Sequence, residues 1–270
     1  MTYDSSFKTQ IDGRSATADD LSPLAFSGFA HFTAMQVRDG GVKGLDLHLT
    51  RLRLQSIEFF GRALPDEQVR HYLRTAIDNG PVAMSLTVTM FSRNGEFTPS
   101  GTEDDPAVFV RTGPASSGPS GPLRLAAVEH QRPLPVIKHV GEATKTHYLR
   151  QAVKDGYDDA AFINARGHLS EATIWNLAFW DGEAIIWPKA AVLPGVTMGI
   201  VRRQLAGLNV PQRVEVISID GLGSLGGAAV MNSWTPGIGV KSIASVPLPL
   251  SPTFMEILHS AYAREPAEKV

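Results

Sequence analysis

The stretch TGPASSGPSGP, Thr112 to Pro122, divides this 270-residue chain. Gly, Pro and Ser fill it, so it offers nothing to bury and favours an extended or flexible connection. We therefore read residues 1–111 as one domain, 112–122 as a linker and 123–270 as a second, larger domain. Upstream of it, Phe29 to Val37 and Val42 to Leu47 read as strands joined at Asp39-Gly40, a dipeptide suited to the positive φ angles of a tight hairpin turn. The period then changes. Asp46 can cap a helix through Phe60, with Leu49, Leu52, Ile57 and Phe60 on one side and Gly61 closing it. A second helix is expected from about Asp66 to Asn79, with Val69, Leu73, Ala76 and Ile77 inward, followed by strands at Ala83 to Ser92 and Ala107 to Arg111. The first domain is small and α+β.

Downstream, short strands are expected at Leu123 to Val128, Ala160 to Asn164, Asn176 to Trp180, Ala184 to Trp187, Arg213 to Ile219 and Ala228 to Asn232. Helices interrupt them at Tyr148 to Lys154, Thr197 to Leu208 and Thr253 to Arg264, where Pro252 suits a helix start. Strands this dense, joined by tight turns such as Asp181-Gly182, predict a curled, barrel-like sheet more than a doubly wound parallel one. The fold class is α+β in two domains.

Apolar residues make up 43% and charged residues 19% of the chain, which is an ordinary globular balance. With 25 basic and 27 acidic residues the net charge is −2, so nucleic acid and acidic membrane are not expected as partners. There is no cysteine, which removes disulfides, thiolate nucleophiles and Cys-ligated metals together. Met1 to Gly13 carries Asp4, Lys8 and Asp12 and lacks the apolar core of a signal peptide, and no uncharged apolar run reaches membrane-spanning length; a cytoplasmic protein is expected. The eight histidines include no i, i+4 pair, so no metal site is expected. Common nucleotide-binding and hydrolase signatures such as GxxxxGK[ST], HExxH and GxSxG are absent.

Three local patterns stand out, each with a plainer alternative. In Val136-Ile137-Lys138-His139 a lysine ends an apolar stretch; the alternative is a solvated strand-end lysine. In Leu169-Ser170-Glu171-Ala172-Thr173-Ile174-Trp175-Asn176 an acidic residue sits between two apolar β segments; the alternative is a turn carboxylate. In Leu193-Pro194-Gly195-Val196-Thr197 a turn feeds a helix whose first N–H groups and positive dipole end can cradle an anion; the alternative is merely a helix start.

Taken in order, these patterns resemble the fold-type IV pyridoxal-phosphate enzymes, the class IV aminotransferase family that includes branched-chain aminotransferases, D-amino acid aminotransferases and aminodeoxychorismate lyases. The resemblance covers nearly the whole chain. It starts with Phe29-Ala30-His31-Phe32-Thr33, then LHLTRL at Leu47 to Leu52, matching an H-x-x-R-L helix. It continues through IKH at Ile137 to His139, GYDDAAF at Gly156 to Phe162, SEATIWNLAF at Ser170 to Phe179 and LPGVT at Leu193 to Thr197.

The resemblance implies pyridoxal 5′-phosphate as cofactor and a role for each group. Lys138 would form the Schiff base and move the proton between Cα and C4′. Glu171 would face the pyridine nitrogen and keep it protonated. Arg51 and the backbone N–H groups of Val196 and Thr197 would hold the phosphate, with Ser233 in the Asn232-Ser233-Trp234-Thr235 turn as a further candidate beside its reading as an ordinary turn serine. Lys138 lies 33 residues before Glu171 and Lys145 only 26, and the family spacing fits the former. Phe32 stands where many members carry tyrosine, which makes His31 and Tyr148 candidate substitutes, with His31 and Arg93 as candidate substrate contacts; a solvated strand-end arginine is the alternative for Arg93. The implied function is aminotransfer between an amino acid or amine and a 2-oxo acid. Aminodeoxychorismate lyase-type elimination is the alternative within the fold, and a non-catalytic binding protein the alternative outside it. A homodimer is also implied, for which Trp175 and Trp234 are candidate exposed aromatics.

Overall fold

In the computed structural model, which describes residues 7–26, 28–94, 96–97 and 105–270, the chain forms two units, each with its own sheet. The first runs to Ser116 and also takes in Ile137–Glu142 and Ala267–Val270; the second holds Ser117–Val136 and Ala143–Pro266.

The first unit contains β1 (Thr9–Ile11), β2 (Arg14–Ser15), α1 (Ala18–Leu21), β3 (Ala30–Arg38), β4 (Gly41–Lys43), α2 (Leu45–Phe60), α3 (Asp66–Ile77), β5 (Ala83–Phe91) and β6 (Ala107–Pro114). Its sheet is antiparallel, in the order C-terminal strand (Ala267–Lys269), β4, β3, β5, β6, β1, β2. The β3–β4 hairpin turns at Asp39 (φ 51°) and Gly40 (φ 69°), as its dipeptide requires. Met35 and Val37 on one face of β3 pack with Leu45, Leu49 and Leu52 of α2 and Val69 and Leu73 of α3, the period-2 face of a strand meeting the 3.6-period face of two helices.

Gly44, at φ 66°, is the N-cap of α2, so Asp46 lies in the first turn and complements the dipole there without capping it. Gly61 closes the helix at φ 72°. Ile57 is 49% exposed, against the expectation of an inward residue. The inward position belongs to Ser56, next to it in sequence, which bonds His31 of β3; a polar contact has displaced the apolar register.

The second unit contains β7 (Leu123–Glu129), α4 (Ala143–Lys154), β8 (Asp159–Ile163), β9 (Leu169–Ala172), β10 (Asn176–Trp180), β11 (Ile185–Pro188), α5 (Val196–Leu205), β12 (Gln212–Glu215), β13 (Gly227–Asn232), β14 (Thr235–Ile243), β15 (Val246–Pro247) and α6 (Pro252–Arg264). Strands β10, β13, β14, β7, β8 and β9 pair in that order, and the β9–β10 pairing closes them into a six-stranded barrel. β11 and β12 extend the sheet from β10. Along β10, Leu177 and Phe179 fill one core cluster together with Val230 and Val240, whereas Ala178 and Trp180 pack with α5 and α6 through Met198, Val201, Phe254 and Leu258. Strands buried on both faces read as continuous apolar runs, as NLAFW does.

Several sequence expectations change here. β14, nine residues long, was not anticipated because Pro236, Gly237 and Gly239 read as turn residues. α6 packs closely over Gly237: a Cβ there would meet Met255 Cε at 2.5 Å and Leu258 Cδ1 at 3.1 Å. α4 begins at Ala143 and so includes Lys145, which was expected in a loop. Trp175 is buried rather than exposed, whereas Trp234 is 37% exposed. Among the described residues no helix is long and apolar enough to cross a membrane, and no group of three or more His, Asp or Glu side chains could hold a metal ion.

Candidate functional site

In the first unit, Lys138 is fixed at both ends of its own backbone. Its carbonyl accepts from the Phe32 N–H at 2.8 Å, and its N–H donates to Gln55 Oε1 at 3.2 Å. Val140 N–H donates to the Ala30 carbonyl, so Ile137–Val140 is an extra rung along β3. The Nζ lies 4.6 Å from the centroid of the Phe32 ring. The apolar stretch before Lys138 is not a packed strand end, since Val136 is 59% exposed. Hydrogen bonds to β3 and α2 place the lysine.

One face of α2 supplies the polar groups around it. His48, Arg51 and Gln55 recur at i, i+3 and i+7, the spacing that puts side chains above one another. Thr33 Oγ1 lies 2.6 Å from His48 Nδ1 and accepts from Arg51 Nη1 at 3.5 Å. Burial pushes the Arg51 guanidinium down to about 10, so it stays charged at neutral pH. Burial, and then the charge of Arg51, pull both His48 and His31 down to about 3, so both rings are neutral.

His31, a candidate substrate contact from sequence, has no exposed surface. Its Nε2 is 2.9 Å from Ser56 Oγ, its ring stacks on Phe60 at 5.7 Å, and Nδ1 has no hydrogen-bond partner among the described residues. It packs α2 onto β3 and reaches no surface from which it could touch substrate. Arg93, the other candidate, pairs with Asp12. Tyr148 sits on α4 against His130 and Phe162.

In the second unit Glu171 is a strand residue of β9 and is buried, which corrects the turn-carboxylate alternative. Arg132 Nη1 donates to its Oε1 at 2.9 Å and to the Pro135 carbonyl at the same distance. The ion pair is almost sealed, with side-chain exposures of 1% and 6%. The Leu193 N–H donates to Glu171 Oε2 at 3.3 Å. Asp159 braces the turn that follows Glu171, accepting from Thr173 Oγ1 at 2.6 Å and Trp175 Nε1 at 2.8 Å; burial raises its own pKa while these bonds oppose the rise.

Leu193 leads into the N-terminus of α5. Asn176 Nδ2 donates to the Leu193 carbonyl at 2.8 Å, and a Cβ on Gly195 would fall 1.8 Å from Asn176 Oδ1. Only glycine lets the turn lie against that amide. Val196 and Thr197 then open the helix, whose first N–H groups lack carbonyl partners within it. The Thr197 hydroxyl donates to the Asn232 carbonyl at 2.8 Å, which ties the helix start to the turn carrying Ser233. Glu171, Val196, Thr197 and Ser233 are thus joined through Leu193 and Asn232. Arg132, Asn176, Thr33 and Gln55 were not singled out from sequence. Asn176 and Thr33 lie within quoted motifs, but their partners are distant in the chain, and only the fold reveals them.

The second unit is thus a six-stranded barrel with a carboxylate and a helix N-terminus joined at one turn, and the first is a sheet whose strand β3 and helix α2 carry Lys138 and the half-buried Arg51 beside them. The amino-transferase class IV family matches residues 30–243, and the chain belongs to that family. No curated protein matches the chain. Among solved structures it resembles the branched-chain amino acid aminotransferase of Escherichia coli, with TM-score 0.82 and 16% identity over 95% of this chain and 93% of that one. It also resembles a T.th. branched-chain amino acid aminotransferase with pyridoxamine 5′-phosphate (0.79, 16%, 96% and 95%). A Legionella pneumophila chain provisionally assigned as 4-amino-4-deoxychorismate lyase is similar as well (0.74, 18%, 90% and 93%). At these identities the likeness is one of fold, the fold-type IV arrangement of a barrel and a separate sheet.

Proposed function

We propose that the chain is a pyridoxal 5′-phosphate-dependent aminotransferase acting between an amino acid or amine and a 2-oxo acid. The observation that carries this reading is the join between Glu171 and the start of α5 through Leu193. A buried carboxylate and an anion-binding helix end, held in one rigid piece, suit a ligand with a basic ring nitrogen at one end and a phosphate at the other. The Gly195 cradle suits the same ligand, and the half-buried, charged Arg51 is suited to a phosphate. The related structure with pyridoxamine 5′-phosphate supports it by likeness of fold.

When bound, the cofactor supplies an aldehyde that takes the amino group and a ring that accepts the electron pair of the broken Cα–H bond. Lys138 would hold the aldehyde end and, once the substrate amine has displaced it, its freed Nζ would carry the proton away from Cα. Glu171, kept in place by Arg132 and Leu193, would keep the ring nitrogen protonated. Arg51, the N–H groups of Val196 and Thr197, and Ser233 hold the phosphate. The reading includes a homodimer in the cytoplasm, with no nucleic acid or membrane partner.

A second reading, pyruvate-eliminating lyase chemistry with the same residues, is favoured by the likeness to the Legionella chain. The visible spectrum of the purified protein, followed by assay with a panel of amino donors and 2-oxo acids, tests both. A yellow protein that passes nitrogen to a 2-oxo acid supports aminotransfer. Release of pyruvate from aminodeoxychorismate without an acceptor supports the lyase. A protein that neither binds the cofactor nor turns over contradicts both.

A further inference from the structure

We propose that Thr33 and His48 form a relay that aims the Arg51 guanidinium at the cofactor phosphate, which makes both of them positioning residues for that clamp. The inference rests on the function proposed above. His48 and Arg51 stand three residues apart on α2, and Thr33 projects from β3 between them, with Oγ1 2.6 Å from His48 Nδ1 and 3.5 Å from Arg51 Nη1. Thr33 is fully buried and His48 nearly so, so water is not available to replace the bond between them.

The chemistry of the three groups gives the relay a direction. A guanidinium only donates, so the Thr33 oxygen is its acceptor. The arrangement that also uses the hydroxyl proton sends it to His48 Nδ1, and we assign His48 the tautomer protonated on Nε2. Burial and the neighbouring Arg51 charge, which hold His48 neutral, keep Nδ1 available as an acceptor. With its proton committed to the ring, the hydroxyl turns a lone pair toward Arg51. A neutral hydroxyl orients the guanidinium without cancelling its charge, so the charge remains for an anion. Without that acceptor a long side chain spreads over more rotamers, and a bidentate clamp loses its alignment.

The test compares pyridoxal 5′-phosphate with pyridoxal, which lacks the phosphate, in spectral titrations of the full-length chain. Thr33→Val keeps the shape and removes the hydroxyl. It is expected to weaken phosphate-ester binding by about tenfold while leaving pyridoxal binding within about twofold, the scale of one misaligned charge-assisted hydrogen bond. Thr33→Ser restores the wild-type ratio, and His48→Phe reproduces the selective loss. If Thr33→Val weakens both ligands equally, or neither, the relay is wrong even though Arg51→Ala still abolishes the preference for the phosphate ester. If wild type and Arg51→Ala show no such preference, the functional reading fails first and the relay with it. Unfolding curves for each variant separate a folding defect from these outcomes, and if Thr33→Val does not fold, His48→Phe carries the test, an unchanged ratio in it overturning the relay.

Discussion

The Leu193 N–H donates to Glu171 Oε2 at 3.3 Å, and the carbonyl of the same residue accepts from Asn176 at 2.8 Å. One residue therefore couples the β9 carboxylate to the turn that starts α5. Groups that hold a bound molecule are commonly oriented by such a supporting layer, which is part of the site even though it never touches the ligand.

Glu171→Gln preserves size and removes the charge. The amide oxygen can still accept from Arg132 or Leu193, but the buried Arg132 loses its ion pair with Glu171. We expect the variant to fold with stability lower by about 1–3 kcal/mol, to retain cofactor colour and to lose most transamination. Stopped-flow measurement of the half-reaction checks this, and wild-type turnover would remove Glu171 from the ring-nitrogen role.

Gly195→Ala puts a methyl group where Asn176 Oδ1 now lies, at 1.8 Å. The amide must leave the Leu193 carbonyl, at a cost of about 1–3 kcal/mol, and the phosphate ester should bind more weakly. Asn176→Ala removes the obstacle. The double variant should therefore be destabilised by less than the sum of the two single changes, with an interaction energy of at least about 0.5 kcal/mol in a urea-unfolding cycle. Strict additivity would show that the two residues do not press on each other.

The buried histidines set an acid limit on stability. His31 and His48 have folded pKa values of about 3, below the unfolded value of 6.5. Below pH 6.5 the unfolded chain takes up protons that the folded one refuses, so stability present above 6.5 is lost as pH falls toward 3. Between pH 6.5 and 5 each histidine should account for about 2 kcal/mol. Urea unfolding at pH 7, 6 and 5 should show this fall, and His31→Phe, packed among Phe59 and Phe60, should make it shallower. An identical slope in the variant would mean that His31 is not held neutral.

Much of the fold was readable locally. The Asp39-Gly40 hairpin, the helix ending at Gly61 and the NLAFW strand each follow from residues that are neighbours in sequence. β14 was hidden because its glycines answer to α6, some twenty residues away, rather than to a turn. The candidate site divides in the same way. Lys138, Glu171 and the LPGVT turn are visible as motifs, but the groups that fix them are not. Gln55 reaches Lys138 from 83 residues away and Arg132 reaches Glu171 from 39. That Ile137–Val140 runs along β3, within the first unit, is a matter of long-range hydrogen bonding that no local pattern encodes.

The central claim is that Lys138 is the residue that takes the cofactor aldehyde. Lys145 is the competing lysine, and it lies within α4. Borohydride reduction of the cofactor-loaded protein, followed by protease digestion and mass spectrometry, locates the reduced pyridoxyl group directly. The account predicts a single label on Lys138, full labelling of Lys145→Ala and none of Lys138→Ala. A label on Lys145, or undiminished trapping in Lys138→Ala, would contradict it.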